Sequence, residues 1–333
     1  MPGKRRRDVI ALLCGAAAAW PFAARAQQGD RLRRVGVLMS YAKSDPDGGA
    51  FVAAFREGLQ QLGWLESRDI RIDDRWAALD AEALQRFAKE LIALQPDLVL
   101  SQTTNSTAAL LQQSRTVPII FANVADPVGS GFVASLARPG GSVTGFVLSE
   151  PTMAGKWLEL LKEIAPRIKR AALLFNPATA PFAEYFVEPF KAAALSSGVE
   201  AIKATVHDKS NLETVIAAHA REPDSGLIVI PDAFLNVHRV EVTSLAARYR
   251  LPTVYPYRFY PELGGLLSYG NDVVDNYRRA AGYADRILKG AKPSELPVQA
   301  PVKFELVINL KTATALGLDV PMFLRQRADE VIE

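Results

Sequence analysis

Two successive runs of alternating strand and helix signals fill most of the chain, and that rhythm limits the fold more than any other feature. Arg34-Val-Gly-Val-Leu-Met39 is a short apolar run bounded by polar residues and reads as a buried strand. Phe51, Phe55, Leu59 and Leu62 follow at helical spacing, and Gly63 ends that helix. Ile70 to Trp76 alternates like a half-buried strand, and Leu84, Phe87, Leu91 and Leu94 mark a helical stripe. Asp97–Leu100 and Pro118–Phe121 read as strands around a helix from Thr104 to Gln113. The pattern then restarts. Arg170–Phe175, Val199–Val206, Leu227–Ile230 and Pro252–Tyr255 read as strands, separated by helices over Phe182–Ser197, Leu212–Arg221 and Val237–Arg250. Two such series imply an α/β protein of two Rossmann-like lobes, each a parallel sheet flanked by helices.

The tail departs from the rhythm. Gly264–Tyr269 reads as a strand, Val273–Lys289 as a long helix, and Pro293, Pro297 and Pro301 break the chain into an extended connector before strand-like Phe304–Asn309. A tail that revisits both lobes requires three crossovers, placed near Ser149, Gly264 and Pro301. The expected division is residues 33–148 with 265–300 in the first lobe, and 149–264 with 301–333 in the second.

The first 26 residues stand apart. Lys4 to Arg7 form a basic head, Val9 to Ala24 an alanine-rich apolar stretch, and Ala24-Arg25-Ala26 a small-x-small site, the layout of an export signal cleaved after Ala26. The apolar stretch is short for a membrane anchor and Pro21 interrupts it. Leu13, rather than a small residue, precedes Cys14, which disfavours lipidation. Arg6-Arg7 suggests the twin-arginine route, but Val9 stands where the stronger motif carries Phe, so general secretion stays open. The expected location is the periplasm.

Cleavage would remove five basic residues and one acidic one, and the formal net charge would fall from +3 to −1. No basic run then survives that would favour nucleic acid. Cys14 is the only cysteine, so the mature chain would have no thiol, which excludes disulfides, thiol catalysis and cysteine-bound metal. His207, His219 and His238 lack metal-ligand spacing and read as solvated histidines. There is no Gly-x-Ser-x-Gly, Walker loop or dinucleotide-binding glycine motif, and no cofactor is implied. Asp73-Asp74 and Asp45/Asp47 read as solvated charges.

In open parallel sheets, ligands bind outside the carboxyl ends of the strands. Those ends carry Ser40 and Tyr41; Gln102, Thr103, Thr104 and Asn105; Asn123 and Asp126; Asn176; Asp232; Tyr255 and Tyr257; and Tyr269 and Asn271. The set is rich in hydroxyls, amides and tyrosines and has no base–nucleophile pair. It suits holding a ligand rather than transforming it. Thr103-Thr-Asn-Ser106 precedes a helix, where free N–H groups suit a carboxylate, though Thr104 or Asn105 can equally cap that helix. Asp126-Pro127 has the form of a helix cap. Asp232 can meet a ligand ammonium or cap a helix. The tyrosines can offer a stacking platform, with at least one belonging to the core.

Several stretches in order carry a family likeness: Arg7-Asp-Val-Ile-Ala-Leu-Leu, Asp126-Pro-Val-Gly-Ser-Gly131, Ala137-Arg-Pro-Gly-Gly-Ser-Val-Thr-Gly145, Gly264-Gly-Leu-Leu-Ser-Tyr-Gly270, Ala284-Asp-Arg-Ile-Leu-Lys-Gly-Ala-Lys292 and Phe304-Glu-Leu-Val-Ile-Asn-Leu-Lys-Thr-Ala313. Over essentially its whole length the chain resembles the ABC-transporter substrate-binding proteins of the group that includes tryptophan- and tyrosine-associated bacterial members. The resemblance implies a type I periplasmic binding-protein fold closing on a small solute, an aromatic or other amino acid or a related carboxylate, with a membrane permease and its ATPase as partners and a monomer as the soluble form. Asn123 and Thr104 would grip from the first lobe, and Asn176, Asp232 and Tyr255 from the second. A sensor for a membrane receptor, or an exported enzyme on the same fold, are the alternatives.

Overall fold

The computed structural model describes residues 32–333. The export-signal reading of residues 1–26, with its twin arginine and Cys14, lies outside the described residues.

The first lobe runs β1 (Arg33–Met39), α1 (Pro46–Gln61), β2 (Ile70–Trp76), α2 (Ala81–Ala93), β3 (Leu98–Thr103), α3 (Thr104–Gln113), β4 (Ile119–Val124) and β5 (Val143–Val147). Its sheet is parallel, in the order β2-β1-β3-β4-β5. Strand period decides how both faces are covered. Val35, Val37 and Met39 of β1 join Phe51, Phe55 and Leu59 of α1 in one buried cluster. Leu38, pointing the other way, joins Leu84 and Leu91 of α2 and Leu110 of α3.

The second lobe runs α4 (Met153–Ile164), β6 (Arg170–Phe175), α5 (Glu184–Ser196), β7 (Glu200–Thr205), α6 (Lys209–Ala220), β8 (Ser225–Val229), α7 (Ala233–Val237), α8 (Arg239–Arg248), β9 (Thr253–Tyr255), α9 (Phe259–Glu262) and β10 (Leu267–Asn271). The chain returns to the first lobe through α10 (Val273–Leu288), then adds β11 (Phe304–Asn309), α11 (Leu310–Ala315), α12 (Met322–Arg327) and β12 (Glu330–Ile332) to the second. That sheet is ordered β12-β11-β10-β9-β8-β6-β7, and β11 runs antiparallel to β10. The sheet is therefore mixed at one end rather than wholly parallel.

One element lies on the other side of the boundary from the sequence reading. The sequence division places the strand at Leu267–Asn271 with residues 265–300 in the first lobe, but it pairs with β9 and β11 in the second sheet. The second crossing therefore falls at Asp272, not near Gly264. There it runs beside the third, joined by the Asp272 N–H donating to the Lys303 carbonyl (3.1 Å) and by a Lys303–Asp272 ion pair (2.8 Å). Beyond the crossing, α10 packs on α1, with Tyr277 stacked on Phe51 at 5.1 Å. The Asn276 amide anchors the same helix to the carbonyls of Ala122 (3.1 Å) and Val147 (3.2 Å).

Gly270 shows how closely this hinge strand is packed. A Cβ there would lie 1.8 Å from the Pro256 carbonyl oxygen. Gly270→Ala is expected to cost roughly 2 kcal/mol or more through backbone displacement. An unchanged urea midpoint would contradict that packing.

Candidate functional site

In each sheet the strand order reverses at one point. In the first lobe, β1 lies between β2 and β3; in the second, β6 lies between β7 and β8. Crevices at such switch points, beyond the strand carboxyl ends, are where open α/β sheets take ligands. Here the two crevices face each other.

Between them lies an inner chamber lined from the first lobe by Tyr41, Gln102, Thr103, Asn123 and Leu148, and from the second by Thr179, Phe182, Pro231, Asp232, Ala233, Asn236 and Tyr257. Its volume is only about 30 Å³, room for a water or two. Thr103, Thr179 and Ala233 also line an adjoining outer groove of about 310 Å³ with Ser40 and Asn105, so the two spaces form one cleft. The lobes meet across it. The Asn105 amide donates to the Ala178 carbonyl (2.9 Å), and the Asn236 amide donates to the Tyr41 hydroxyl (3.0 Å). This is a closed arrangement.

Local chemistry fixes each wall. The Gln102 side-chain Oε1 accepts from the Ser40 N–H (2.7 Å) and the Tyr41 N–H (3.3 Å), tying the end of β1 to that of β3. Thr103 caps α3 and shares a reciprocal capping box with Ser106, while its hydroxyl meets that of Ser40 at 2.8 Å. The first-turn N–H groups of a helix lack intrahelical partners, so this end of α3 suits an anion.

Asp232 sits opposite, 2% exposed. Its carboxylate accepts from the Asn176 N–H (2.6 Å), the Phe234 N–H (2.8 Å) and the Thr179 hydroxyl. Burial pushes its carboxyl up to about 6, and those hydrogen bonds hold it from rising further. No Lys, Arg or His among the described residues forms a salt bridge with it. Tyr41 and Tyr257 are likewise raised, chiefly by burial.

Of the residues singled out in the sequence, Tyr41, Thr103, Asn123, Asp232 and Tyr257 line the chamber, and Ser40, Thr103 and Asn105 the groove. Gln102 lines the chamber as well, and the others line neither space. Asn176 spends its side chain on the His207 carbonyl (3.0 Å) and the Ala178 N–H (2.8 Å), so it holds the loop behind Asp232. Asp126 accepts from the Gly129 N–H (2.7 Å) and caps its own turn. Tyr255 is buried against Tyr260, ring centroids 4.7 Å apart, and Tyr269 stacks on Phe304 at 5.9 Å. Thr104 and Asn271 are buried with Oγ1 and Nδ2 unpaired.

Three solvated readings are corrected. Asp73 and Asp74 are largely buried and pair with Arg34 (3.0 Å) and Arg56 (3.1 Å). Asp45 and Asp47 form a largely buried ion-pair cluster with Arg239 across the lobes, at 3.2 and 2.9 Å. His219 is buried, its Nε2 hydrogen-bonded to the Gly226 carbonyl at 2.9 Å. Sequence reasoning also passed over Thr179, Phe182 and Asn236. Asn236 had a legible signal: it follows Asp232 by four residues, so a helix there puts both on one face.

Among the described residues no cluster has the makings of a metal site, and no helix is long and apolar enough to cross a membrane. Two facing switch-point crevices, three crossovers and a polar cleft between the lobes define a two-lobed solute receptor. The family model for ABC transporter substrate binding proteins matches residues 43–332, and the chain belongs to that family. It is 26% identical over 265 residues to a tyrosine-binding protein of Clostridioides difficile, covering 79% of this chain and 75% of the relative. A Streptococcus pneumonia ABC domain solved in complex with L-Trp superposes with a TM-score of 0.84 at 26% identity, over 91% of this chain and all of that one. A conserved domain protein from Vibrio cholerae gives 0.83 at 27% identity, over 90% of this chain and all of the other. The fold is that of type I periplasmic binding proteins. The family is one of extracytoplasmic solute-binding proteins, not of enzymes, and works with a transporter permease.

Proposed function

We propose that this chain captures an α-amino acid with an apolar or aromatic side chain and delivers it to its permease. The observation that carries the reading is Asp232: a carboxylate buried at the switch point with no salt-bridge partner among the described residues. Burying an unpaired charge is costly, and a ligand ammonium offsets that cost. The capped end of α3, with Thr103 and Gln102, offers donors for the ligand carboxylate, and Leu79, Leu84 and Ala108 of the outer groove offer apolar surface. The L-Trp and tyrosine named for the two relatives fit this chemistry. Export to the periplasm with cleavage after Ala26 completes the reading, and the protein acts as a monomer.

Capture works by closure. Contacts to both lobes favour the closed form, whereas a ligand bound equally by open and closed forms shifts nothing. Isothermal titration with L-phenylalanine and with 3-phenylpropionate, which lacks the ammonium, tests the reading. The amino acid is expected to bind about a hundredfold more tightly, equivalent to roughly 3 kcal/mol. Equal affinities would overturn the assignment of Asp232.

A further inference from the structure

We infer that the solute's side chain occupies the outer groove, and that the groove selects a side chain with an apolar body and a hydrogen-bonding tip. The inference rests on the head-group assignment to Asp232. The inner chamber, at about 30 Å³, is far too small for a ring. With the ammonium held there, the way out passes Thr103, Thr179 and Ala233, which line both spaces, into the groove of about 310 Å³.

The groove is built for such a guest. Ala77, Leu79, Leu84 and Ala108 supply apolar wall, and Gln85 and Gln112 supply amides. Gln85 is half-buried and Gln112 exposed, and neither side chain hydrogen-bonds another described residue. One wall is held at a conformational cost. Ala78 and Leu79 adopt φ of 51° and 64°, left-handed values that non-glycine residues rarely take. The Leu79 N–H donating to the Ser40 carbonyl (2.7 Å) and the Ala78 N–H donating to the Tyr41 carbonyl (3.2 Å) keep them there. Strained backbone of this kind persists where the surroundings over-determine it, as at ligand clamps. Here it fixes Leu79 to the chamber's own Ser40-Tyr41 segment.

L-tyrosine and L-phenylalanine differ only at the tip and are the probes. The purified protein is expected to bind tyrosine about tenfold more tightly than phenylalanine, the scale of one well-placed hydrogen bond. In the Gln85→Leu/Gln112→Leu double variant that ratio should fall to near one. Ala108→Leu, which fills the groove without touching the amides, should weaken both amino acids about tenfold with the thermal midpoint little changed. A tyrosine preference that survives the double variant, or affinities that Ala108→Leu leaves alone, overturns the groove assignment and leaves Asp232 standing. If 3-phenylpropionate binds the unaltered protein as tightly as phenylalanine, the anchor itself is wrong and both readings fall.

Discussion

Asp232→Asn is expected to reduce amino-acid affinity by about a hundredfold or more while leaving the solute-free protein folded. The substitution removes a charge that the protein keeps at a cost. Asp232 carries its carboxyl up from 3.8 to about 6 because burial disfavours the ionised form. Between those values the folded protein holds a proton that the unfolded chain has lost. The group's stabilising contribution is therefore complete below 3.8 and is lost as pH rises through about 6. Above that pH the empty closed form bears a penalty of about 3 kcal/mol. A ligand ammonium favours the ionised carboxylate and relieves it. Affinity should accordingly rise with pH up to about 6 and level off beyond, and the Asn variant should lose that dependence. The variant meets one local conflict, since its amide would face the Asn176 N–H that now donates to Asp232. This costs about 1–3 kcal/mol and offsets the relief of removing the charge. The solute-free thermal midpoint at pH 7.5 should thus change little. A pH-independent affinity in the unaltered protein would contradict the role given to this carboxylate.

Arg239→Met is expected to weaken every solute by the same factor, about a hundredfold to a few thousandfold, and to open the solute-free protein. Arg239 is held on the second lobe by its own bond to the Asn236 carbonyl (2.7 Å) and lies over the Phe259 ring at 5.2 Å. Its partner Asp45 is held on the first lobe as the cap of α1, accepting from the N–H groups of Asp47 and Gly48, both at 3.0 Å. Both halves are therefore formed before the lobes meet. Side-chain exposures of 12% for Arg239 and 10% for Asp45 place the pair out of bulk water. Removing one partner of such a pair costs roughly 3–5 kcal/mol where the remaining charges stay buried. Here they stay buried only in the closed form, because opening returns Asp45 and Asp47 to water. The whole effect falls on the closing equilibrium, and apparent affinity scales with the closed fraction. Small-angle scattering should show a larger radius of gyration for the solute-free variant. Solute-dependent losses, or an unchanged radius, would place Arg239 outside the closing step.

The strands that carry the site were readable because fully buried strands of parallel sheets appear as uninterrupted apolar runs. β1, β3, β6 and β8 all do, and reading their ends led to Tyr41, Thr103 and Asp232. The sequence reading has no strand at β5, a run of only five residues that directly follows the Arg138-Pro-Gly-Gly turn. It also missed α4, whose N-terminus at Thr152 makes no side-chain cap. β10 was seen as a strand and put in the wrong sheet, because an apolar run does not say which edge it will pair with. The ion pairs of Arg239 and the contact of Asn236 were hidden for a different reason. Their partners are far apart in the chain, 194 residues for Arg239 and Asp45 and 195 for Asn236 and Tyr41. Charged and amide residues near helix ends look solvated until the second lobe covers them.

The most direct test is a crystal structure of the protein with its tightest-binding amino acid. The account predicts the ligand ammonium within about 3.2 Å of an Asp232 carboxylate oxygen, the ligand carboxylate at the first turn of α3, and both lobes in contact with one solute molecule. A solute bound by one lobe alone, or an Asp232 still holding only Thr179 and the N–H groups of Asn176 and Phe234, would contradict it.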